Sequence, residues 1–125
     1  MSRSVLTELL AEAAAAPARE VCGILLGAPL ISGRLAAENV AANPADSFEI
    51  DPAALFAAIR AERAGGAVVA GYYHSHPSGS PEPSARDRAM AALDGRLWII
   101  VGGGAAKGWR ATDGGFAPVK LLVED

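Results

Sequence analysis

Histidine is scarce in this 125-residue chain: there are two, His74 and His76, and they stand two positions apart. Cysteine is scarcer still. Cys22 is alone, so no intramolecular disulfide can form and nothing in the sequence requires an oxidising compartment. The 11 Lys and Arg are outnumbered by 14 Asp and Glu, for a formal charge of −3. They form no basic run that would leave an electrostatic footprint for nucleic acid, so a peptide, a protein or a small molecule is the expected partner. No apolar run approaches the roughly 20 residues of a membrane span. The N-terminal stretch carries Glu8 and Glu12 and lacks the basic, apolar and small-residue order of a signal peptide. The expectation is a cytoplasmic protein without membrane contact.

What is present is a globular composition. Hydrophobic residues make up 51% and charged residues 20%, far from the balance of a disordered chain. The length suits one domain, residues 1–125, with a core of its own.

Local signals alternate along the chain. VLTELLAEAAAA sets Val5, Leu6, Leu9 and Leu10 at helical spacing, with Pro17 as a stop. Val21–Leu26 is a short apolar run ending in Gly27, which suits a buried strand, and Leu35–Val40 is a second strand beyond a turn with Pro29 and Gly33. AANPADSFEI predicts a loop leading into a short strand at Phe48–Ile50, with AANPADSF as a candidate mobile flap. Asp51 before Pro52 predicts a helix from Ala53 to about Arg63, ended by Gly65-Gly66. Ala67–Tyr73 reads as a central strand, and Ser84 as the N-cap of a helix to about Leu93. Leu97–Val101 is a further strand stopped by Gly102-Gly103-Gly104, and the tail predicts a hairpin turning at Asp113-Gly114-Gly115.

The chemistry concentrates in GYYHSHPSGSPEPSARD. On an extended strand residues i and i+2 share a face, so His74 and His76 present two imidazoles side by side. Ser84 and Asp87 lie three apart at a helix start, which lets Asp87 point back toward the strand end. Two imidazoles and one carboxylate suit a divalent metal and leave a position open. Each residue alone has a plainer reading: a His satisfied in the core, Ser84 as a cap, Asp87 as a first-turn acid favoured by the helix dipole. The joint spacing favours the metal.

The string HSHPSGSPEPSARD is His-x-His, seven residues beginning with Pro77, then Ser-x-x-Asp. This pattern resembles that of the JAMM (MPN-plus) metalloproteases. The family also carries an upstream glutamate before an apolar strand that ends in glycine; in REVCGILLG that is Glu20. The likeness extends over nearly the whole chain and is closest to the short bacterial members. It implies an α/β fold, a single three-layer domain with a mixed curved sheet packed between helices. It further implies Zn2+ held by His74, His76 and Asp87, with Glu20 as general base and Ser84 as a donor to the oxyanion. The implied reaction is hydrolysis of a peptide or isopeptide bond after the C-terminal Gly-Gly of a ubiquitin-like or sulfur-carrier protein, by a monomer or homodimer. A Gly-Gly tail without side chains can lie extended in a narrow groove.

Other readings remain beside it. A non-catalytic binding module of the same fold would have lost ligands or the base, and here all five residues stand. A non-haem iron oxygenase also uses two His and a carboxylate, but gives Ser84-x-x-Asp87 no role. Zinc deaminases need a Pro-Cys-x-x-Cys set, and this chain has one cysteine. Cys22 has no third histidine to activate it and reads as a small buried apolar residue. Trp98, Phe48 and Phe56 are expected in the core, while Tyr73 and Trp109 are candidates to line a substrate groove.

Overall fold

The computed structural model describes residues 1–77 and 79–125. Along the chain they form helix α1 (Arg3–Ala15), strands β1 (Cys22–Leu26) and β2 (Gly33–Ala37), helix α2 (Pro52–Arg63), strand β3 (Val69–Ser75), helix α3 (Ala85–Met90), and strands β4 (Leu97–Gly102), β5 (Ala105–Thr112) and β6 (Gly115–Val119). The strands make one six-stranded sheet in the order β2-β1-β3-β4-β5-β6. Its pairings are antiparallel except for β3 with β4, which run parallel. A parallel pair needs a crossover of a dozen residues or more, and here residues 76–96 supply it. That crossover carries α3.

The sheet is covered on both faces. Val5 and Leu9 of α1 pack with Leu25, Tyr73, Ile99 and Val101 on one side. On the other, Ala58 of α2 packs with Ile24 and Val69, flanked by Leu55 and Tyr72. Leu9 and Ile24 are fully buried, and each such side chain contributes about 1.5–3 kcal/mol of transfer free energy. The helix starts obey their local signals. Ser2 accepts the Val5 N–H at 3.3 Å and Asp51 accepts the Ala53 N–H at 3.1 Å, with Pro52 at the first helical position.

Several boundaries differ from those expected. The strand expected at Leu35–Val40 is Gly33–Ala37, because Leu26 pairs with Gly33 directly across a tight connection. Beyond it Asn39 makes only an isolated bridge to Ile50, and that bridge is all that remains of the strand expected at Phe48–Ile50. The central strand starts later and runs further than Ala67–Tyr73. It takes in His74 and Ser75, which pair with Ile100 and Val101. Helix α3 stops at Met90 instead of continuing to about Leu93: Ala91 is extended, and Gly95 must reach Ala111 with its N–H (3.0 Å) to start β4.

Two aromatic expectations change as well. Phe56 is not core: it is 60% exposed under the Arg60 guanidinium, because the inward stripe of α2 passes through Leu55 and Ala58, about 100° away per residue. Tyr73 lines no groove. It is buried under α1, where its hydroxyl donates to Glu12 at 2.6 Å, and Arg34 of β2 donates to the same carboxylate oxygen at 2.6 Å. This network ties α1 to two strands on the sheet face away from His74. Trp109, by contrast, is half-buried, lines a surface pocket with Gly108 and Val119, and holds a loop through its indole N–H.

Candidate metal centre

The site forms where β3 ends and α3 begins. His74 is the penultimate residue of β3 and fully buried; His76, just past the strand, is fixed by its N–H to the Val101 carbonyl at 2.7 Å. The strand alternation turns both rings to one side, with centroids 4.9 Å apart. Helix α3 supplies the carboxylate through a capping box. Ser84 Oγ accepts the Asp87 N–H, and Asp87 Oδ2 accepts the Ser84 N–H, each at 3.0 Å.

Three heteroatoms meet at this point. His74 Nε2 and His76 Nε2 lie 3.1 Å apart, and each lies 3.1 Å from Asp87 Oδ2. Ligands at 2.0–2.1 Å from a tetrahedral cation are separated by about 3.3 Å, close to this triangle. His76 gives its Nδ1–H to the Ser80 carbonyl at 2.8 Å. A neutral ring in that tautomer turns the Nε2 lone pair toward a carboxylate and a second imidazole, an arrangement that a cation relieves. Glu20, 4% exposed before β1, completes the cluster: one carboxylate oxygen and one nitrogen of each histidine all lie within 4.8 Å of one another. Glu20 Oε1 and His74 Nδ1 are buried with no hydrogen-bond partner among the described residues. The donor set therefore fits a divalent metal such as zinc.

Burial and charge tune these groups in opposite directions. Burial pushes Glu20 up to about 7, helped by the nearby Asp87 and opposed by His76. Burial also holds His74 below its ordinary value, against the pull of Asp87. At His76 burial is outweighed by the neighbouring Asp87 carboxylate and by the Ser80 carbonyl, and its pKa rises. Asp87 is buried too, yet the two adjacent histidines and the Ser84 amide hold it well below the usual carboxylate range. The cluster thus pairs an acid held ionised with a carboxyl poised near neutrality.

All five residues singled out in the sequence, Glu20, His74, His76, Ser84 and Asp87, come together here. Other contributors lie outside the motif, and the sequence marks Phe48 and Trp98 only as core residues. Phe48 stacks on His74 at 4.1 Å between ring centroids, and Trp98 meets the same imidazole edge-on at 5.5 Å. Asn39, 6% exposed, uses its full hydrogen-bonding capacity. Its Nδ2 donates to the carbonyls of Glu20 (2.9 Å) and Ser47 (3.0 Å), and its Oδ1 accepts the N–H groups of Ala41 and Glu49. One amide thereby joins the Glu20 segment to the 41–49 segment that carries Phe48. Beside Asp87 opens an apolar cavity of about 370 Å³, walled by Phe48, Ile50, Leu55, Tyr72, Met90 and Trp98. Among the described residues no helix is long and apolar enough to cross a membrane.

Comparison with known proteins agrees with this geometry. The family model described as prokaryotic homologs of the JAB domain matches residues 2–113. A desampylase from Haloferax volcanii is 37% identical over 100 residues, covering 78% of this chain and 72% of that protein. A solution structure of a Desulfitobacterium hafniense protein superposes with a TM-score of 0.87 at 24% identity, over 100% of this chain and 94% of that one. A structure described as JAMM, a metalloprotease-like zinc site in the proteasome and signalosome, gives 0.59 at 23% identity, over 99% of this chain and 95% of that one. Fold, site and sequence therefore agree that the chain belongs to the prokaryotic JAB-domain family, of the JAMM/MPN type.

Proposed function

We propose that this protein is a zinc-dependent peptidase that cleaves a peptide or isopeptide bond after the C-terminal Gly-Gly of a ubiquitin-like or sulfur-carrier protein. The observation that carries this reading is the triangle of His74, His76 and Asp87 with the Glu20 carboxylate at its edge. The similarity to a desampylase supports a hydrolase that acts on protein modifiers. A cytoplasmic location, and a monomer or homodimer, go with the same reading.

His74, His76 and Asp87 would hold the metal. Zinc, when bound, supplies a Lewis acid that polarises a carbonyl and makes a water molecule about as acidic as pH 7. Glu20 takes a proton from the attacking water and returns it to the leaving amine; a carboxyl raised to about 7 can both accept and release it near neutral pH. Ser84 is placed to serve the other side of the reaction. Its Oγ already accepts the Asp87 N–H, so the hydroxyl hydrogen is free to donate to the oxygen that gains charge on the substrate carbonyl. Phe48 and Trp98 shield His74 from water.

The test is metal analysis joined to cleavage of a substrate with a Gly-Gly tail. Asp87→Ala is expected to lose metal and activity together, and Glu20→Gln to keep metal but lose most turnover. Full activity in Glu20→Gln would refute the role given to that carboxylate. Iron in place of zinc would favour an oxygenase instead.

A further inference from the structure

The loop 79–83, between β3 and α3, forms neither helix nor strand, and Pro81 and Pro83 give it no N–H groups there. It is held mainly from outside. Trp109 on β5 donates its indole Nε1–H to the Pro81 carbonyl at 3.0 Å. Lys107, two residues away on the same face of β5, reaches Glu82 at 3.4 Å; both partners are half exposed, so this pair adds little. Gly102 at the end of β4, on the same sheet face, lets the loop approach. A Cβ there would stand 2.6 Å from the Gly79 carbonyl oxygen and 2.8 Å from the Ser80 carbonyl carbon.

Between these anchors lies Ser80, whose carbonyl takes the His76 Nδ1–H at 2.8 Å. Accepting that hydrogen leaves the neutral ring with its lone pair on Nε2, the atom aimed at His74 Nε2 and Asp87 Oδ2. A carbonyl can enforce a tautomer only if it cannot drift away from the ring. The neighbouring Pro81 carbonyl, one peptide further on, is the group that Trp109 grips.

We propose that Trp109 is a positioning residue of the metal centre: its indole N–H fixes the 79–82 loop, so that the Ser80 carbonyl holds His76 with Nε2 directed at a divalent cation. This rests on the metal-centre reading above. A ring that merely filled space would need no donor aimed at this carbonyl, and Phe would serve equally well.

Two variants of the full chain act on the loop through separate contacts. Trp109→Phe removes the donor and keeps the ring; Gly102→Ala crowds the loop at Gly79 and Ser80. Two quantities are read: the Kd for Zn2+ by chelator competition, and the His76 tautomer in metal-free protein by NMR of the imidazole nitrogens. The Nδ1–H tautomer is expected to dominate in the parent chain and to become mixed in both variants. Zinc affinity is expected to fall about 10-fold, as for other outer partners of metal-bound histidines. Tyr73→Phe, which perturbs the far face of the sheet, is expected to change neither quantity. An unchanged tautomer and an unchanged Kd in Trp109→Phe would overturn the proposal. If that variant does not fold, the same two results in Gly102→Ala would overturn it. If the parent chain binds no zinc, the metal reading fails, and the tautomer alone decides what Trp109 does.

Discussion

Phe48 lies flat against His74, with 4.1 Å between ring centroids and 18° between planes. His74 is thereby closed on a side that β3 leaves open, and its imidazole is kept dry and neutral. The stack also links the 41–49 segment to the site, since Asn39 holds that segment to the backbone of Glu20. Phe48→Leu preserves apolar cover but removes the ring contact, which is worth about 1 kcal/mol. The expected outcome is a modest fall in Tm and faster zinc loss to a chelator. An unchanged release rate would show that Phe48 only packs.

Ser84 has two duties that substitution can separate. As an N-cap it stabilises the short helix α3 by about 1 kcal/mol, and as a donor it is expected to supply about 100- to 1000-fold in rate. Ser84→Ala removes both. Ser84→Asp restores the cap acceptor but brings no hydroxyl hydrogen, so it is expected to recover helix stability without kcat. Urea unfolding beside turnover distinguishes the two; recovery of kcat in Ser84→Asp would remove Ser84 from the chemistry.

The burial of Glu20 predicts a pH-dependent cost in metal-free protein. Its folded pKa is raised from 4.5 to about 7. Below pH 4.5 the carboxyl is protonated in both folded and unfolded chains, and its burial is free of penalty. As the pH rises toward 7 the unfolded chain ionises first, and folded stability is progressively lost. Glu20→Gln escapes this loss. Metal-free Glu20→Gln is therefore expected to exceed the parent chain by on the order of 3 kcal/mol at pH 8, with the gap closing near pH 4. Denaturant titrations at the two pH values read it directly. A gap of the same size at both would sink the assignment.

Cys22 faces the site from β1, paired with His74 across the sheet, yet it is expected to be inert. The thiol is fully buried, and burial pushes its pKa up to about 12. The thiolate is the reactive form, so modification by a disulfide reagent at pH 8 is expected only at the rate of unfolding. Rapid labelling of native protein would contradict this.

Tyr73 provides a test on the opposite face. Its ring occupies the space that Gly23 leaves: a Cβ at Gly23 would fall 2.5 Å from that ring. Tyr73→Phe keeps the packing and loses the hydroxyl bond to Glu12, while Arg34 still pairs with that carboxylate. The expected loss is about 1 kcal/mol of stability with turnover unchanged, measured by urea unfolding and substrate cleavage.

Much of the site was legible before folding, because its geometry is local. A two-residue step on a strand puts His74 and His76 on one side, and a three-residue step at a helix start turns Asp87 back over Ser84. Those relations depend on backbone periodicity, which neighbouring residue types dictate. The Asp113-Gly114-Gly115 turn and the Asp51-Pro52 helix start were readable for the same reason. Contacts between distant segments carried no such signal. Phe48 over His74, Asn39 between two loops, Trp109 on Pro81 and Tyr73 turned away from the site each join residues at least eight positions apart. Phe56 departs from the core for a related reason: helical periodicity shows that a face is apolar, but only packing against Ile24 and Val69 selects Leu55 and Ala58 as the inward stripe. By itself the sequence determined which groups could serve chemistry and the local steps that bring them alongside one another. The tertiary structure decided how deeply they are buried, which tautomer and charge each one holds, and what covers them, because those properties depend on the sum of surroundings drawn from the whole chain.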